Sequence, residues 1–261
     1  WFLHAVFKLE GTDLAHALEH SLQLVRKIVQ GSPEGATPLL ISLVCDFVAQ
    51  SIGESKPPVR STDGRPRPTT MATIMSALTT RLINRVEGKW QDSGASAATS
   101  EPVATALTCL LRRKAFNAAF LGSANIAVTS TPTGMVEFRL LERSGLVSTT
   151  ATGGCRTMRF THQTLLEFFA ASHIASELSD GRGESVLRHI PALLVSLQMR
   201  VLSVARELLA QWNVRAAVVA FEEGVAAQVP ATAPTALLQT VIIGDEGFAL
   251  RLLSLAQRNA S

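Results

Sequence analysis

The chain has 261 residues, 47% of them hydrophobic and 17% charged, which is enough apolar material to bury a sizeable core and excludes a disordered polypeptide. A net charge of +3 and a pI of about 9.0 make a mild basic excess, well short of a nucleic-acid-binding composition. The 11 Phe and 3 Trp, with no Tyr, sit mostly inside apolar periodic runs and do not form a base-stacking surface.

In chain order the pattern is mostly helical. Phe7-Lys-Leu-Glu10 reads as a short strand or extended lead-in. Thr12 or Asp13 caps a helix to about Gln30 with Leu14, Leu18, Leu22 and Val25 on one side. After a turn at 31–37, Pro38 fits the first turn of a second helix to about Ile52, where its missing N–H has no intrahelical partner. The apolar run from Ala36 ends at Asp46, too short to span a bilayer, so no membrane span is expected. Residues 53–68 form a basic Pro-rich loop, Lys56-Pro-Pro-Val-Arg60 and Gly64-Arg-Pro-Arg-Pro68, read as a solvated insertion or a contact for an acidic partner or a PPII-binding domain. Helices follow at about Thr70–Trp90 and Glu101–Leu121, joined by a Ser/Ala/Gly linker at 91–100.

Residues 131–179 change character. A helix through Met135–Arg143 stops at Gly145, a natural left-handed cap. Two β-type runs, Leu146–Thr150 and Arg156–Phe160, flank Gly153-Gly154 and predict a hairpin. A strongly apolar helix over His162–Leu178 follows, and helix, hairpin and helix together predict a small winged-helix module. From Gly183 onward apolar periodicity returns as several helices, broken at Gly224, Pro230, Pro234 and Gly244. The fold class is therefore mainly α: a helical domain, a winged-helix module with one small β-hairpin, and a second helical domain.

The three cysteines, Cys45, Cys109 and Cys155, are odd in number and show no C-x-x-C spacing, which fits a reducing, cytoplasmic compartment. Cys45 and Cys109 fall on predicted helices, where a free Cys packs as a small apolar residue. His16 and His20 stand four apart on a helix, but no third metal ligand accompanies them, so no metal site is expected. His4, His173 and His189 carry no constellation. No G-x-S-x-G elbow and no G-x-x-x-x-G-K-[ST] phosphate loop occurs, so the residues supply no catalytic site.

One histidine stands out. Phe160-Thr-His-Gln-Thr-Leu-Leu-Glu-Phe-Phe-Ala-Ala171 places His162 at the mouth of a helix otherwise built for burial. Ser144-Gly-Leu-Val147, Phe160-Thr-His162 and Glu167-Phe-Phe-Ala-Ala171 together resemble the winged-helix signature of the NACHT family of signal-transduction ATPases, with Leu166 where that family often has Gln. About 120 residues upstream, Thr37-Pro-Leu-Leu-Ile-Ser-Leu-Val-Cys45 is similar to the family's first helical domain. The two matches cover most of residues 30–180.

The resemblance implies the regulatory helical and winged-helix arm of an ADP/ATP-dependent switch that closes over ADP and controls homo-oligomerisation. It implies residues 1–122 as the end of the nucleotide-binding region and first helical domain, 123–180 as the winged helix and 181–261 as the second helical domain. It implies that Pro38 packs on the adenine of ADP and that His162 donates to the β-phosphate. The phosphate loop and Mg²⁺ site are expected upstream of Trp1, in a nucleotide-binding domain of the same protein that is the arm's partner; whether that domain is a slow ATPase stays open. Two other readings stay open. A winged-helix DNA-binding regulator would need more cations than Arg139 and Arg143, which Glu137 and Glu142 offset. A helical protein-interaction scaffold would act through residues 184–261.

Overall fold

The computed structural model describes residues 70–92, 103–120, 125–127, 132–152, 155–190, 199–227 and 246–259, with Ala15, Glu19 and Leu22. Pro38, His4, His16, His20, Cys45, the Pro-rich loop, Gly153-Gly154, Pro230, Pro234 and Gly244 lie outside the described residues.

The chain divides into two compact units, Trp1–Leu78 and Thr79–Ser261. In the first, Ala15, Glu19 and Leu22 are helical and exposed. Helix α1 (Met71–Asp92) begins in this unit and continues past its end. Thr70 starts it as predicted, because its hydroxyl oxygen accepts the Thr73 N–H at 3.3 Å and so satisfies one of the free donors of the first turn.

The second unit holds α2 (Val103–Phe120), β1 (Asn125–Ala127), α3 (Pro132–Ser144), β2 (Val147–Thr152), β3 (Cys155–Phe160), α4 (Gln163–Ser179), α5 (Gly183–Leu187), α6 (Met199–Gln211), α7 at 215–227 and α8 (Glu246–Asn259). The fold is mainly helical with one small antiparallel sheet, and helix, hairpin and helix occur in the predicted order. α3 begins a turn earlier than its apolar pattern, with Pro132 in the first helical position, where a missing N–H costs nothing. Gly145 ends it at φ 69°, in the left-handed region that a side chain would disfavour.

The hairpin pairs Val147 with Phe160 at its open end and Thr152 with Cys155 at the tip. Alternate residues Val147, Met158 and Phe160 point inward and are buried, while Ser148, Thr150 and Arg159 face water. Thr150 and Thr157, directly opposed, share a hydroxyl hydrogen bond of 2.8 Å on the exposed side. A third strand, β1, pairs antiparallel with β3 and gives the order β1-β3-β2. Its three residues are too few to show a period of two, so the sequence predicts only the hairpin.

Helix α4 is the centre of the unit. Eleven of its residues, from Thr164 to Leu178, are buried, among them Phe168, Phe169 and Ile174. A helix apolar on nearly every side needs neighbours on nearly every side. α2 packs along one face, α6 along another, and α5 and β3 touch its ends. Phe169 contacts Phe160 and Phe168, with centroids 6.2 and 5.5 Å apart, so the helix and the hairpin share one aromatic cluster.

Two expectations are corrected. Gly224 does not break the chain but lies within α7, where a Cβ would meet Leu187 Cδ2 at 2.8 Å. It allows close approach of α5. Cys109 is helical, but its thiol is exposed, because it sits on the outer side of α2 opposite Leu107, Leu110 and Leu111.

Candidate functional site

The junction between β3 and α4 is fixed by the backbone. Leu146 O accepts both the Thr161 N–H at 3.0 Å and the Thr161 hydroxyl at 3.1 Å. On the other side of Leu146, its own N–H donates to Ser144 Oγ at 3.0 Å. The residue entering β2 therefore also holds the residue leaving β3, and this places the next side chain, His162, at the mouth of α4.

His162 is the N-cap of that helix. Its backbone is extended, φ −145° and ψ 137°, and its Nδ1 accepts the Thr164 N–H at 3.1 Å. Ser, Thr, Asp or Asn normally supplies this oxygen acceptor; here an imidazole nitrogen does so. Since Nδ1 must offer a lone pair, the neutral ring carries its proton on Nε2. Burial, and secondly the Arg200 guanidinium, hold the His162 pKa below the usual 6.5, so the neutral, capping form is the one favoured at neutral pH.

Three polar side chains accompany it. Gln163 Nε2 donates to Glu167 Oε1 at 3.3 Å, one turn along the helix. Arg200, at the start of α6, brings Nε to 3.5 Å from Glu167 Oε2. Both ionic side chains are largely buried, at 14% and 12% exposure, yet Glu167 Oε2 receives no hydrogen bond. Burial pushes the Glu167 pKa up, while Arg200 and the Gln163 hydrogen bond pull it down. The result is a mouth with a neutral imidazole, one guanidinium and a carboxylate whose ion pair is not closed by a hydrogen bond.

His162 thus lies where the sequence places it, and Glu167 of the same motif faces its end of the helix. Pro38 lies outside the described residues. Arg200 is the residue that sequence reasoning missed. It stands 33 positions after Glu167, and its only sequence signal is a cation opening an amphipathic helix. Among the described residues no group of three or more His, Cys, Asp or Glu side chains could hold a metal ion. No helix among them is long and apolar enough to cross a membrane. Comparison with protein-family models, curated proteins and solved structures finds no match.

Proposed function

We propose that this chain is the helical and winged-helix arm of a NACHT-type nucleotide switch, in which His162 senses the β-phosphate of ADP. The observation that carries the reading is the cap bond of His162. With Nδ1 engaged by Thr164, the ring presents Nε2–H as its donor, at a helix N-terminus whose partial positive charge favours an anion. A hydrogen bond from this donor to a phosphate oxygen would hold the arm against the nucleotide domain. Exchange of ADP for ATP would release the arm and permit homo-oligomerisation, a two-state element biased by differential contact with the two nucleotides. Pro38 would pack on the adenine.

The test is ADP retention in the whole protein, joined to its nucleotide-binding domain. His162→Ala should accelerate ADP release about tenfold, the cost of one charge-assisted hydrogen bond. His162→Asn, which keeps a cap acceptor, should restore stability without restoring retention. Unchanged ADP release in His162→Ala would remove the residue from the site. The 261-residue chain by itself should bind ADP weakly, because it contains no phosphate loop. Sub-micromolar binding by it would contradict the reading.

A protein-interaction scaffold is favoured by a separate observation. Leu250 and Leu253, three apart on α8, are 67% and 40% exposed. A scaffold would lose partner binding on Leu250→Glu and would be indifferent to His162→Ala.

A further inference from the structure

A neutral imidazole at the mouth of α4 supplies one N–H and no charge. A terminal phosphate carries more than one negative charge at neutral pH. The N-terminus of a helix offsets about half an elementary charge of it. Holding a phosphate at His162 therefore calls for a full cation close to the mouth.

Arg200 stands there. It is the second residue of α6 (Met199–Gln211), and α6 packs along α4. Its Nε lies 3.5 Å from Glu167 Oε2, while the other oxygen of that carboxylate accepts from Gln163 Nε2 at 3.3 Å. Gln163 directly follows His162 in the chain. Glu167 comes five residues after the cap, so the arginine touches α4 about 7.5 Å of helix rise from its mouth. The Arg200 and Glu167 side chains are 14% and 12% exposed, and a charge so far withdrawn from water acts over a longer range than one on the surface.

The contact with Glu167 fixes the position of the guanidinium without closing on it, because Glu167 Oε2 receives no hydrogen bond. Arg200 acts on His162 as well as on Glu167. Burial, and secondly Arg200, lower the imidazole pKa, and Arg200 opposes the rise that burial gives the carboxylate. On the other sides of α4, Arg112 and Arg113 of α2 and Arg182 of the turn before α5 act on His173, further along the helix, and Arg159 of β3 faces water.

We infer that Arg200 is the cationic member of the His162 site: placed by Glu167 across the packing of α6 on α4, it supplies the positive charge that draws a phosphate to the imidazole N–H, a role that rests on the reading of His162 as a phosphate donor. The site then belongs to two regions of the chain. The winged helix provides the donor and the region 181–261 provides the charge, so a chain ending after α4 keeps the histidine and loses the cation.

Two measurements test this. The first uses no nucleotide and follows the His162 ring through a pH titration of the 261-residue chain by NMR. Arg200→Gln should raise its midpoint toward 6.5 without reaching it, because burial remains the larger cause, and Arg200→Lys should leave it near the wild-type value. The second is ADP release from the whole protein, joined to its nucleotide-binding domain. Arg200→Gln should accelerate release about tenfold, and Arg200→Lys, which keeps the charge, about twofold at most. A His162 midpoint that does not move in Arg200→Gln shows that the guanidinium does not reach the ring, and overturns the inference. Unchanged ADP release in Arg200→Gln, where His162→Ala releases ADP faster, overturns it too and leaves the histidine reading standing. If His162→Ala also leaves release unchanged, both fall. Should Arg200→Gln fail to fold, Arg200→Gln combined with Glu167→Gln leaves no buried charge unpaired and takes its place under the same criteria.

Discussion

Glu222 on α7, buried, and Glu167 on α4, largely so, are both carboxylates that face arginine, but they are bonded very differently. Glu222, 4% exposed, receives Arg206 Nε at 2.8 Å and Arg251 Nε at 2.9 Å, one on each oxygen. The Arg206 guanidinium also lies 5.4 Å from the ring centroid of Phe248, which stacks on Phe221. One carboxylate therefore joins α6, α7 and α8, and every charge in the group has a bonded neighbour. Glu167 has one arginine at 3.5 Å, one amide at 3.3 Å and an oxygen with no hydrogen bond. The contrast separates a closed structural clamp from an open ionic group beside a helix mouth. An incompletely bonded, perturbed carboxylate is the kind found where a protein must respond to something.

Mutations at the two ends should sharpen this contrast. The largest effect is expected at the clamp: Glu222→Ala leaves two guanidinium groups without their carboxylate and should cost about 3 kcal/mol in chemical denaturation. A loss under about 1 kcal/mol would mean that the clamp is not structural. At the helix mouth, His162→Ala should cost about 1 kcal/mol through the lost cap, with His162→Asn recovering most of it. Glu167→Gln should change stability by less than about 1 kcal/mol, because the neutral isostere gives up an open ion pair but also sheds a desolvation cost. If Glu167→Gln proves as damaging as Glu222→Ala, the two carboxylates are equivalent and the contrast fails.

The smallest effect is a pH dependence. His162 and His173 both have folded-state pKa values lowered from 6.5. Below about 6.5 the unfolded chain takes up protons that the folded one resists, so folding stability should fall as the pH drops from 6.5 toward the folded values. Protonation of His162 also removes the Nδ1 lone pair that caps α4. Urea midpoints measured from pH 7 to pH 5 should decline, and more shallowly in His162→Ala. A flat profile would show that neither imidazole is held in its neutral form.

Much of the local structure was legible in the residues. Gly145 stops α3, the two β-type runs after it pair as a hairpin, and the run after His162 becomes a buried helix. Each follows from chemistry within a few neighbours. Gly224 was misread for the same reason. A glycine in sequence signals either a break or a close approach, and only Leu187 of α5 shows which applies. The candidate site was half legible: His162 and Glu167 lie in one motif, whereas Arg200 comes from a helix that the sequence gives no means to pair with them.

Periodicity, glycine positions and capping chemistry by themselves determined a mainly helical chain with a hairpin ahead of a buried helix, and they marked one histidine at its mouth. Those properties depend on interactions between residues close in the chain. Tertiary structure decided which nitrogen of His162 keeps its proton, which arginine approaches Glu167, and why Glu222 is closed and Glu167 open. Those outcomes depend on burial and on charges brought together from distant segments, and the strength of both is set by packing.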